Sequence, residues 1–171
     1  MSKPSQTAAY CGLFCESCSL YVATQEEPER FVQLAKRYGK TVGEVHCRGC
    51  RSDVLSFYCG TCKIKTCIRA KGLDFCVECD EYPCAMLTEF QALMPHRAEL
   101  FDSLAYLKEN GYDCWREKMK KDYSCEECGT INPTYDMKCR KCGHTPPNPF
   151  TERNMARIME TVDRYKKREE Q

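Results

Sequence analysis

Apolar positions along the chain fall into short runs of helical period, separated by stretches in which cysteine and glycine interrupt every repeat. In 28–38, PERFVQLAKRY, the residues Phe31, Leu34, Ala35 and Tyr38 share one helical face. Pro28 suits the first turn of that helix and Gly39 its C-terminal cap. Thr41 and Glu44 have the spacing of a capping box and predict another short turn. The segment 84–94, CAMLTEFQALM, resumes the helical period until Pro95 breaks the run or opens the next helix. In 96–110 a stripe of Leu100, Leu104 and Leu107 predicts a further helix, with Gly111 placed to end it. Residues 113–121 predict a short helix with Trp115 facing inward. The last periodic segment, 151–169, sets Met155, Ile158, Met159, Val162 and Tyr165 on one side, and the charged last seven residues are expected to fray.

The intervening stretches carry the cysteines. Residues 10–23 form a Cys-rich turn leading into an apolar segment, and 47–84 holds eight cysteines in 38 positions, too broken for long elements. Residues 123–145 form a separate Cys-rich unit, and the TPPNP run at 145–149 reads as a stiff linker. The expected fold class is therefore mainly α with small β. It comprises a metal-stabilised Cys-rich helical domain over 10–122, a zinc ribbon over 123–145, and a linker with an amphipathic helix over 146–171.

Composition sharpens this picture. The chain has 171 residues and 16 cysteines. Removing the cysteines from the 42% apolar fraction leaves about 33%, a thin supply for a self-sufficient core. The N-terminal sequence MSKPSQTAAYCG lacks the apolar centre of a signal peptide, and no stretch approaches a membrane span. The expected location is cytoplasmic, where thiols stay reduced, and the cysteines then read as metal ligands rather than disulfides. The net charge of +1 offers no strong basic field, which argues against a non-specific nucleic-acid binder.

Spacing supports metal ligation. Six C-x-x-C pairs are present: Cys15/Cys18, Cys47/Cys50, Cys59/Cys62, Cys76/Cys79, Cys125/Cys128 and Cys139/Cys142. Two intervening residues let one tight turn present both sulfurs to one ion. The strongest pattern is Cys125-x2-Cys128-x10-Cys139-x2-Cys142, two knuckles joined by a short β-hairpin around one tetrahedral ion. Gly129 and Gly143 each follow a pair and suit the positive φ such a turn needs. Zinc is the expected ion, and rubredoxin-type iron shares the four-sulfur geometry.

Eleven further candidate ligands lie upstream: Cys11, Cys15, Cys18, Cys47, Cys50, Cys59, Cys62, Cys67, Cys76, Cys79 and Cys84. Two tetrahedral sites use eight of them. Three sites need a twelfth ligand, from His46, Cys114 or a non-protein group. Cys114, beside Trp115 and far from any pair, reads more simply as a small core residue. The expectation is two zinc ions in this region, or three if that ligand is supplied. Cys11-x3-Cys15-x2-Cys18 also admits a [4Fe–4S] cluster completed by a fourth cysteine. The same spacing occurs in radical S-adenosylmethionine enzymes, but their barrel needs a longer chain.

CGLFCESC, CRGC, CGTCKIKTC and KGLDFCVECDEYPC together resemble domain-of-unknown-function family 3795, over roughly residues 10–90. The resemblance implies a small zinc-binding Cys-rich protein without an assigned activity. The run from Gly111 to Gly143 is similar to a zinc-ribbon extension that some members carry. Lys65 stands where members often have arginine.

No catalytic constellation emerges. His46, His96 and His144 form no H-x-x-x-H or H-x-E pattern, and neither a phosphate loop nor a G-x-S-x-G elbow occurs. Glu78, Asp80 and Glu81 read as a solvated face. Lys63, Lys65, Arg69 and Lys71 read as charge compensation for thiolates, because an ion of charge +2 held by four thiolates leaves 2 − 4 = −2. The expected role is a non-enzymatic structural or interaction module. The ribbon and final helix are the candidate surfaces for a protein partner, and the ribbon is the candidate contact for nucleic acid.

Overall fold

The computed structural model describes residues 3–169, with side chains described as far as Asp163. Among these residues the fold is built from helices: α1 (Ser19–Glu26), α2 (Pro28–Arg37), α3 (Val42–Val45), α4 (Phe57–Gly60), α5 (Lys63–Ala70), α6 (Ala85–Ala92), α7 (Leu100–Tyr123), α8 (Pro149–Arg153) and α9 (Met155–Glu169). No helix among the described residues is long and apolar enough to cross a membrane. The expected β content reduces to two isolated antiparallel bridges, Ala8 with Phe14 and Ser124 with Ile131.

Helix boundaries follow local chemistry. Pro28 opens α2, and Gly39 follows its end with φ +59°. The Thr41–Glu44 capping box forms with both reciprocal bonds. Leu100, Leu104 and Leu107 are buried along α7 as their stripe predicts. Gly111 ends the first helical stretch of α7, as its position after the leucine stripe predicts, and a second stretch over 112–123 follows it. The glycine introduces a kink between the two, with φ +79° and ψ 171°. The kink lets the two halves of α7 wrap the same core, so Trp115 and Met119 join the leucines. Trp115 is fully buried and donates its Nε1–H to Ser103 Oγ at 2.8 Å, and its ring meets Phe14 and Phe75. Cys114 corrects the expectation of a core thiol. One helical residue turns about 100° from its neighbour, so burying Trp115 leaves Cys114 exposed.

Residues 145–149 also depart from expectation. Pro147 and Asn148 are fully buried. Asn132 donates to the Pro147 carbonyl at 3.0 Å, and Asn148 Oδ1 accepts the Thr151 N–H at 2.8 Å, capping α8. The expected single helix over 151–169 is interrupted at Asn154 (φ −109°, ψ 12°), which separates α8 from α9. Ile158 fills the core and Val162 packs against it, whereas Met159 remains exposed. The side chain of Tyr165, and the fraying expected of the last seven residues, lie outside what is described.

The 123–145 segment docks on the rest of the chain through polar and aromatic contacts. Tyr123 stacks between Phe14 and Phe150, with centroids 5.9 and 4.7 Å away. Arg140 reaches Glu26 at 2.6 Å and Glu27 at 3.2 Å. A relay of polar side chains runs underneath: Arg97 donates to Tyr58 Oη at 2.6 Å and to His96 Nε2 at 3.1 Å. Arginine only donates, so His96 accepts at Nε2 and carries its proton on Nδ1, which it gives to Tyr135 Oη at 2.7 Å. Burial and the adjacent Arg97 charge hold the His96 pKa down to about 3.

Candidate metal centre

Two turns of matching construction build the C-terminal quartet. In the first, Cys125 N–H donates to Thr130 O at 2.9 Å and Gly129 N–H to Cys125 O at 2.9 Å. In the second, Cys139 N–H donates to His144 O at 2.8 Å and Gly143 N–H to Cys139 O at 2.9 Å. Gly129 and Gly143 hold φ of +70° and +77°, the left-handed conformation that closes each turn at little cost without a Cβ. Because the knuckles consume these backbone groups, and Pro133 offers no N–H between them, little ladder pairing remains. Among the described residues the expected hairpin between the knuckles does not form, and the one bridge here, Ser124 with Ile131, closes around the first knuckle.

The first cysteine of each turn, Cys125 or Cys139, is buried, and the second, Cys128 or Cys142, is exposed. Each buried sulfur faces the exposed sulfur of the other turn: Cys125 to Cys142 at 3.6 Å and Cys128 to Cys139 at 3.5 Å. All four sulfurs lie within 4.8 Å of one another. An ion bonded to four sulfurs at about 2.3 Å in a tetrahedron needs sulfurs about 3.8 Å apart, so the quartet fits a metal ion. The electrostatics agree. Burial raises the Cys139 pKa, but the backbone N–H groups of Cys142 and Lys141 and the Asn132 amide outweigh it and hold the thiol to about 6. Thr130 lowers Cys128. Cys142, despite the His144 backbone N–H, is pushed up to about 12, with its three sulfur neighbours each raising it. Four thiolates at this spacing repel one another, and a cation at their centre removes that conflict.

The upstream cysteines are arranged differently. Among the described residues, only the C-terminal quartet gathers three or more metal-type donors within 4.8 Å. The others form looser neighbourhoods. Cys11 and Cys15 both interact most strongly with Cys50, and Cys11 also with Cys76 and Cys62. Cys18 interacts with Cys47, and Cys59 with Cys18 and Cys47. Cys76 interacts with Cys84, Cys67 and Cys79. Burial is the largest influence on Cys11, Cys15, Cys18, Cys50, Cys59 and Cys76, and it raises every one of them. All sixteen cysteines stand as free thiols.

Periodicity in the sequence did not signal one recurring device. Cys18, Cys62 and Cys84 are the N-cap residues of α1, α5 and α6, positions usually held by Ser, Thr, Asp or Asn. A sulfur at such a position lies near the positive end of the helix. The signal lay in the sequence as a cysteine immediately before each helical run. Cationic side chains stand close by, as the basic run suggests. Lys71 Nζ lies 3.1 Å from Cys79 Sγ, and Lys65 is buried with its charge acting on Cys50. Of the acidic run, Glu78 accepts the Asp74 and Phe75 N–H groups, and Glu81 pairs with Lys71 at 2.7 Å. His46 rests edge-on against Phe31, with centroids 6.0 Å apart.

Fold and site together define a helical, cysteine-rich protein with one four-thiol cluster of metal-binding geometry. Residues 7–89 match the model of a family described as a protein of unknown function (DUF3795). The matched residues end before α7, so the C-terminal quartet lies outside them. Neither the curated proteins nor the solved structures contain a match to the chain.

Proposed function

We propose that the protein is a zinc-binding structural or interaction module without catalytic chemistry. The observation that carries this reading is the quartet Cys125, Cys128, Cys139 and Cys142, with cross-turn sulfur separations of 3.5 and 3.6 Å. An all-thiolate tetrahedron suits zinc rather than harder ions, and four protein ligands leave no position open for substrate. In this reading 123–145 is a zinc ribbon with abbreviated β pairing. Cys11, Cys15, Cys18, Cys47, Cys50, Cys59, Cys62, Cys67, Cys76, Cys79 and Cys84 are ligands of further zinc ions. A reducing, cytoplasmic setting accords with sixteen free thiols.

Elemental analysis of the full-length protein and of Cys139→Ser tests the reading. Zinc in the wild type, with one ion fewer per chain in the variant, supports it. Iron in place of zinc at the quartet, or unchanged zinc in the variant, overturns it.

A further inference from the structure

Away from the C-terminal quartet, one small cavity of about 30 Å³ has four cysteines in its wall: Cys67, Cys76, Cys79 and Cys84. They come from three separate places in the fold. Cys67 lies on α5, Cys76 opens a short 3-10 turn that runs to Glu78 and is followed by Cys79, and Cys84 is the N-cap of α6. Four thiols converge here although their spacing along the chain, C-x8-C-x2-C-x4-C, matches no simple two-pair motif.

One cationic group reaches a sulfur of this cavity. The Lys71 ammonium donates to Cys79 Sγ at 3.1 Å, a charge-assisted contact that a thiolate accepts far better than a thiol. Glu81 holds the same ammonium at 2.7 Å and fixes its position. Cys76 is buried and lines the cavity together with Cys67, Cys79 and Cys84. One lysine cannot balance four thiolates. A divalent ion in the cavity would cancel two of those four charges.

We propose that Cys67, Cys76, Cys79 and Cys84 form a second zinc site, closed around the ion by inward movement of the four sulfurs. The proposal rests on reading the upstream cysteines as thiolate ligands, and it selects which four share one centre. The closing movement follows from the contrast with 125–142, since the cavity sulfurs are not gathered within 4.8 Å. Binding at this site would cross-link α5, the 76–79 turn and α6, whose Ile64, Ile68, Val77 and Leu87 already share one buried cluster.

Thiol footprinting of the full-length, zinc-loaded wild type tests the site without any variant. Alkylation is followed cysteine by cysteine, with exposed Cys114 as the internal reactive standard. The proposal predicts that these four thiols are protected together and become reactive together as a chelator removes zinc. Alkylation of the four at unlinked rates, or at rates the chelator does not change, overturns it. In Cys76→Ser/Cys84→Ser one zinc per chain should be lost while Cys125, Cys128, Cys139 and Cys142 stay protected. An unchanged zinc count in that variant, or a chelator-sensitive iron centre at these four in the wild type, also overturns it. A quartet at 125–142 that holds no zinc while the cavity thiols are protected would defeat the functional reading and leave this site standing.

Discussion

Arg30 on α2 clasps Asp136 across 106 positions of chain, with Nη1 to Oδ2 at 2.8 Å and a second bond from Nη2 to Oδ1. Both side chains are largely buried, so the pair docks the quartet segment onto the first helices rather than decorating the surface. With Arg140 to Glu26 and Glu27, it places two charged clamps on the same α1–α2 edge. A double-mutant cycle on Arg30→Ala and Asp136→Ala should give a coupling of about 1 kcal/mol in urea unfolding, above the usual exposed pair because the contact is bidentate and shielded. Zero coupling would show that the clamp is incidental.

Metal loss at the quartet should be felt beyond it. Arg140 follows Cys139 directly, and its N–H donates to Asn132 Oδ1 at 2.9 Å. Removing the ion by Cys139→Ser frees the turn that aims Arg140. Amide exchange should therefore rise in 123–145 and, to a smaller extent, in α1 and α2. An α1–α2 edge indifferent to the variant would mean that the clamps survive without the ion.

His96 gives a pH dependence of definite sign. Its folded pKa of about 3 lies below its ordinary 6.5, so it stays neutral when folded while the unfolded chain gains a proton. The stability it contributes is fully present above pH 6.5 and is lost as pH falls toward 3. Between pH 7.5 and 5 the wild type should lose about 1–2 kcal/mol more than His96→Gln. Thiolate protonation affects both proteins alike, so the difference isolates the histidine. Parallel stability curves for the two proteins would contradict the buried neutral state.

Gly12 sits with φ +83°, and a Cβ there would stand 2.5 Å from Leu104 Cδ2. Gly12→Ala combines a disfavoured backbone with a clash against a fully buried leucine. A loss of about 1–3 kcal/mol is expected, measured by denaturant unfolding of the metal-loaded protein. A neutral effect would show that the α7 contact yields readily.

The parts legible in the sequence were those governed by neighbours along the chain. Helix α2 between Pro28 and Gly39, the Thr41–Glu44 box, the Leu100/Leu104/Leu107 stripe and the glycines of the C-terminal knuckles are local chemistry, and each appears as read. Gly111 belongs with them: it leaves the helical conformation after the leucine stripe, and a second helical stretch carries Trp115 into the core. The proline-rich 145–149 run looked solvated until Asn132, thirteen positions before its first residue, supplied its hydrogen-bond partners. The cysteines at N-cap positions were missed because cysteine is not among the residues that ordinarily mark a helix start. Which upstream cysteines face each other depends on how α5 and α6 converge, and no spacing rule encodes that.

Native mass spectrometry of full-length wild type and Cys139→Ser, prepared side by side, tests the central claim most directly. The account predicts zinc-bound wild type and a variant lighter by one zinc, with its remaining ions retained. A wild type free of zinc, or a variant carrying the same number of zinc ions as the wild type, would contradict it.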